Sequence, residues 1–281
     1  MIPLKDNIPS RKFPLITALL ITLNLLVSLW QLTLSDTHAP TLELARAGVS
    51  QRDAATIERG AIPFRLAHPG SHCGATAERI VCGEGELTAV DDSNLVRVPD
   101  DLESPAWWTT PFSSMFMHVD LLSVAINMLF LLIFGRTIEA TVGRGRFALF
   151  YFVAGLIAIG IQTLLDPGGT GPIIGTSGAL AAVLGAYAAT YPRARVVGLV
   201  LVPLFATIVQ VSAMILIGAW FILQLVPDIG QLVTPDTADS GLTYLAYAIT
   251  FLLGAATARL LIRRPITLPP AAAAREQPVH G

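Results

Sequence analysis

The run Gly175-Thr176-Ser177-Gly178-Ala179-Leu180 sets one serine between two glycines, just inside the start of an apolar segment that continues to Tyr191. From there small residues recur at every fourth position, Ser177, Ala181 and Gly185 on one stripe and Gly178, Ala182 and Ala186 on the next. Helices in lipid associate where such stripes let backbones approach closely, so this segment is expected to be the central helix of a bundle. A serine in that setting is either a packing residue or a nucleophile, and its surroundings must decide between the two.

Apolar residues make up 53% of the 281 and charged residues 14%, and the mean hydropathy is +0.63, outside the range of a soluble globular domain. Crossing the hydrocarbon takes roughly 20 apolar residues in a helix, and such runs lie at 13–34, 116–136, 147–165, 173–191, 203–226 and 241–262. The expected fold is therefore an all-α polytopic membrane protein, a bundle of six transmembrane helices in a lipid bilayer. Lys5, Arg11 and Lys12 precede the first run, Arg136, Arg144 and Arg146 lie between the second and third, Arg193 and Arg195 follow the fourth, and Arg263 and Arg264 follow the sixth. The connections 166–172 and 227–240 carry Asp166, Asp228, Asp236 and Asp239 but no Lys or Arg. By the positive-inside rule both termini are expected in the cytoplasm, the membrane being a plasma membrane of bacterial type. The first run is too long for a signal-peptide core and lacks a small-residue cleavage site, so it is read as a retained helix.

Three parts follow: a cytoplasmic N-terminus at 1–12, a membrane domain at 13–264, and a Pro- and Ala-punctuated tail at 265–281 that is expected to be disordered. The connection 36–105 is expected outside the cell, with twelve acidic against six basic residues. It holds both cysteines, Cys73 and Cys82, whose close spacing in an oxidising compartment reads as a disulfide and fits zinc poorly. No metal, organic cofactor or nucleic-acid partner is expected. The spans hold essentially no ionisable residue at mid-depth, which argues against a transport path.

Further motifs fall in order along the chain: Trp107-Trp108-Thr109-Thr110, Phe116-Met117-His118, Asn127-Met128-Leu129-Phe130, Phe134-Gly135, Glu139, Gly143 and Arg146-Phe147. Gly175-Thr176-Ser177-Gly178-Ala179, Gly185-Ala186-Tyr187, Tyr191-Pro192-Arg193-Ala194-Arg195-Val196 and Trp220-Phe221-Ile222-Leu223-Gln224 continue the series, and Gly60-Ala61-Ile62-Pro63 and His68-Pro69-Gly70 belong to it in the outer loop. Together they resemble the rhomboid intramembrane serine proteases, from about Ile2 to Arg264. The resemblance implies a rhomboid-like bundle in which Ser177, flanked by Gly175 and Gly178, stands at the nucleophile position and transmembrane helices are the substrates. It places Tyr247 where the family carries its general-base histidine, and Ile249 and Thr250 where it carries paired glycines. Asn127 matches an oxyanion donor, Ser123 replaces a histidine with that role, and His118 matches a histidine that supports the site loop. Where many members have an aromatic residue one turn after the serine, this chain has Ala181.

A serine hydroxyl becomes a nucleophile only beside a base with a pKa near working pH. Histidine qualifies at about 6.5, whereas an unperturbed tyrosine, at about 10, is ionised to roughly one part in a thousand at pH 7, about 4 kcal/mol from base competence. The remaining histidines, His38, His68, His72, His118 and His280, all lie outside the sixth run. The residues therefore predict a rhomboid-like protein that binds transmembrane segments with weak or no proteolysis. The alternative is an active protease with a non-standard base. The ring gained at 247 and the ring lost at 181 read as compensating volumes. Asp120 is expected to be solvated, Glu139 to form an ion pair or a cap, and Trp107 and Trp108 to sit in the interfacial belt.

Overall fold

A computed structural model describes residues 2–9, 13–36, 38, 49–75, 80–83, 96–97, 106–202, 205–225 and 237–262. The tail at 265–281 and most of the connections at 84–105 and 226–236 lie outside the described residues. In chain order the elements are β1 (Ile2–Asp6), α1 (Leu15–Thr33), α2 (Gln51–Arg59), α3 (Pro63–Ala67), β2 (His72–Ala75), β3 (Ile80–Gly83) and β4 (Val96–Arg97). A 3-10 turn at Trp107–Thr109 leads into α4 (Thr110–Ser114), then α5 (Leu121–Phe130), a π turn at Leu131–Gly135, α6 (Arg136–Val142), α7 (Arg144–Leu165) and α8 (Ser177–Thr190). The hairpin β5 (Arg195–Val202) and β6 (Phe205–Ser212), α9 (Ala213–Leu225) and α10 (Thr237–Leu261) complete the chain.

Four helical stretches among the described residues are long and apolar enough to cross a membrane: Leu15–Thr33, Leu121–Val142, Arg144–Leu165 and Gly241–Leu261. They correspond to four of the six expected spans. The other two are shorter than expected. The fourth is helical only over Ser177–Thr190, 14 residues or about 21 Å, because 173–176 is taken up by a turn and an isolated bridge. The first half of the fifth, 205–212, is a strand, and the helix covers only Ala213–Leu225. The physical reason is compositional: β-branched residues crowd 196–211 on both sides of Pro203, a pattern that suits a pleated hairpin and interrupts a helix.

That hairpin is antiparallel over Arg195↔Ser212 to Val202↔Phe205, and β1 covers its other edge, pairing Ile2 with Leu199 through to Asp6 with Val196. Covering an edge strand removes an open ladder of backbone groups. The pairing carries Asp6 into the bundle, where Thr137 Oγ1 (2.7 Å) and Tyr187 OH (2.9 Å) donate to its carboxylate. Burial holds the Asp6 carboxyl above the usual range despite those bonds and the nearby Arg136.

α8 is the axis of the bundle, and every residue from Ser177 to Tyr187 is buried. Both small-residue stripes are used. A Cβ at Gly254 on α10 would stand 2.7 Å from the Cα and carbonyl carbon of Ala182, and one at Gly185 would stand 2.7 Å from the carbonyl carbon of Phe251. A Cβ at Gly178 would collide with Ala158 on α7. Glu139 acts as a cap in trans: its carboxylate accepts from Ile16 N (3.0 Å), Thr17 N (2.8 Å) and Thr17 Oγ1 (2.7 Å) at the start of α1. Asp120 is exposed, as expected, and is also the N-cap of α5, accepting from Ser123 N at 2.8 Å.

The loop after α1 forms a small unit of its own. Val49, Ala54, Ile57, Ile62 and Cys73 make a separate apolar cluster, and Cys73 and Cys82, directly opposite across β2 and β3, form a disulfide.

Candidate active site

Ser177 is the first residue of α8, not a turn or more inside a helix, so the preceding loop sets its position. Gly175 adopts φ +108°, a backbone region that a side chain would strain, and its N–H donates to Ser114 O at 2.8 Å. The Thr176 hydroxyl is hydrogen-bonded to Tyr151 OH inside the bundle. Ile173 pairs with Ala61 of the outer unit, through Ile173 N to Ala61 O (2.8 Å) and Ala61 N to Ile173 O (3.3 Å). Held at these points, the Ser177 side chain lies buried, 6% exposed, where the first backbone N–H groups of α8 have no intrahelical partner.

Two residues converge on the hydroxyl. Asn127 Nδ2 donates to Ser177 Oγ at 3.1 Å, and the orientation of that amide is forced: Trp220 Nε1 can only donate, and it donates to Asn127 Oδ1 at 3.3 Å. The Tyr247 phenol, from ten residues inside α10, interacts with the Ser177 side chain. Its ring packs against Trp220 with centroids 6.2 Å apart. Ala181 is fully buried in the same core. Ser177, Asn127 and Tyr247 thus meet, with Gly178 beside the Tyr247 ring.

The other expected residues stand further back. Ser123 is half-buried one turn before Asn127 on α5, and no hydrogen bond joins it to Ser177. His118 lies in the loop before α5, where its peptide group, not its imidazole, anchors the structure: Gln31 on α1 accepts from His118 N and donates to His118 O, both at 3.1 Å. Burial pushes the His118 imidazole down to about 4, against weaker support from Phe116 O and Asp120. Its Nε2 has no partner among the described residues.

A cavity of about 270 Å³ opens beside this cluster. Tyr247, Leu242 and Thr243 of α10 line it together with Ile173 and Ile174 of the site loop and Pro63 of the outer unit. Gln162 and Asp166 at the end of α7 add polar groups, and Thr243 Oγ1 donates to Gln162 Oε1 at 3.2 Å. Among the described residues no group of three His, Cys, Asp or Glu gathers as a metal site requires.

Chemically the arrangement offers a buried alcohol, a fixed amide donor and helix-terminal N–H groups, the elements that stabilise a developing oxyanion. It brings no imidazole or carboxylate within hydrogen-bond distance of Ser177 among the described residues. Sequence reasoning passed over three contributors. Trp220 stood within a quoted motif without a role, and Gln31 and Gln162 carried no signal beyond being amides in apolar runs.

A family model described as the Rhomboid domain matches residues 105–264. Searches of curated proteins and of solved structures each returned no match. The matched region contains α4 to α10 and every residue that meets at Ser177, and it spans more than half of the sequence: the chain belongs to the rhomboid family.

Proposed function

We propose that this integral membrane protein receives the outer end of a transmembrane segment in the cavity beside Ser177 and cleaves it weakly or not at all. The observation that carries this reading is the pairing of Ser177 with Tyr247 and Asn127. Asn127 donates to the serine oxygen, and a neutral phenol is too weak a base to take the serine proton at neutral pH at an appreciable rate. The hydroxyl is therefore held and shielded but not activated. In this reading both termini lie in the cytoplasm and the 36–105 loop lies outside, an orientation that the Lys and Arg distribution supports.

The second reading, proteolysis with a non-standard base, draws on the retained Asn127 donor and the glycines flanking Ser177. One experiment separates the two. The purified protein in detergent is incubated with a fluorescent serine-directed fluorophosphonate beside a Ser177→Ala control. Absence of Ser177-dependent labelling supports the binding role, and labelling that disappears in the control establishes an activated serine and overturns it.

A further inference from the structure

The cavity beside Ser177 has one wall that does not come from the membrane bundle. Pro63 opens α3 of the disulfide-closed outer unit, is buried, and shares the cavity with Tyr247, Leu242 and Ile174. Its approach is fixed by backbone bonds on both sides. Ala61 exchanges two hydrogen bonds with Ile173, and Phe64 N donates to Gly169 O at 2.9 Å. Ser113 Oγ donates to Arg59 O at 2.6 Å, which fastens the start of the same turn to the segment below it. The fit is close at Gly60, where a Cβ would stand 2.7 Å from Pro172 Cβ. Behind the turn, Ile62 is fully buried against Cys73 and Ile57, so the disulfide-bonded hairpin supports the wall from outside. Proline at the first helical position sacrifices no hydrogen bond and presents a rigid ring.

We propose that Pro63 is a specificity-determining residue of this cavity, with Ala61 as the positioning residue that holds it against the site loop. Resting on the reading that transmembrane segments bind here, the proposal assigns to the outer unit the choice of which residue sizes the cavity accepts. A wall made of a rigid ring on a multiply bonded turn sets a fixed width, and one methylene in such a pocket changes discrimination by about tenfold or more.

The test uses the full chain in bicelles and three synthetic transmembrane peptides that differ only at one outer residue, Ala, Leu or Trp. Pro63→Ala is expected to raise affinity for the Leu and Trp peptides about tenfold relative to the Ala peptide, and Pro63→Phe to shift the ratios the other way. Unchanged ratios in both variants, with the peptides bound, overturn the proposal. An independent readout does not need a client. Both native cysteines are in the disulfide, so Ile174→Cys supplies one reactive thiol on the cavity wall. Its labelling by a membrane-impermeant maleimide is expected to quicken severalfold when Ala61→Pro or Gly60→Ala is added, and to slow with Pro63→Phe. Should no peptide bind the wild type, the proposed function fails while the labelling rates still decide the wall: equal rates in all backgrounds refute it.

Discussion

Replacing Gly254 by alanine tests whether the backbone contact between α8 and α10 organises the site. The new Cβ would lie 2.7 Å from both the Cα and the carbonyl carbon of Ala182, and closer still to the carbonyl oxygen, where ordinary contact begins at 3.4 Å. Backbone cannot rotate away as a side chain can, so the helices must part by about 1 Å or more at this crossing. Overpacking of this kind costs about 1–3 kcal/mol, and the gain in helix propensity from Gly to Ala returns under about 1 kcal/mol. A net loss of about 1 kcal/mol lowers the melting temperature by roughly 2–4 °C for a chain of this size. Gly218 on α9 provides the control, because a Cβ there meets nothing within 4 Å, so Gly218→Ala is expected to be neutral or slightly stabilising. Thermal unfolding in detergent, followed by circular dichroism, compares the two. A Gly254→Ala protein as stable as the Gly218→Ala control would refute the view that α8 and α10 are held by backbone contact.

Other consequences are as direct. Tyr247→His alone should restore little proteolysis of a generic rhomboid substrate, since Ser123, Ala181 and Ile249 also depart from the family pattern; robust cleavage by that single variant would show that one residue was the whole defect. Glu139→Gln keeps the shape of the cap but weakens three hydrogen bonds at the start of α1, and a loss of about 1–2 kcal/mol in the same unfolding assay is expected; no loss would mean the cap is not needed. His118 binds its proton at about 4 in the folded protein and at about 6.5 unfolded. Between those values the unfolded chain holds more protons, so stability should fall as pH drops from 6.5 towards 4, by roughly 3 kcal/mol at about 1.4 kcal/mol per pH unit. Melting curves at pH 7 and 4.5 should differ less in His118→Gln, and an equal pH dependence in both proteins would contradict the burial of the imidazole.

The spans that could be read directly were those whose apolar run is unbroken and rich in good helix formers, such as Leu15–Thr33 and Arg144–Leu165. The stripe Gly178, Ala182, Ala186 likewise announced close helix approach before any partner was known. The segment 205–212, at the start of the fifth expected span, differs for a reason internal to hydropathy. A run of Val, Ile and Leu scores the same whether it lies in a helix or a sheet, and its β-branched crowding was the discriminating signal. β1 escaped notice because five residues of mixed character pair only when the distant β5 edge is present to receive them.

At the site the division has the same origin. Residue identity alone established that the chain is apolar enough for a membrane, that the serine sits in a rhomboid-like motif and that no histidine lies in the last span, because these depend on composition and local order. Only the tertiary structure decided that Trp220 turns the Asn127 amide toward Ser177, that Ser123 stands apart, and that Ala61 docks on Ile173 to bring Pro63 into the cavity. Those contacts join residues from 50 to more than 100 positions apart. Their geometry is set by helix packing and backbone pairing across the whole bundle, which no local window of sequence encodes.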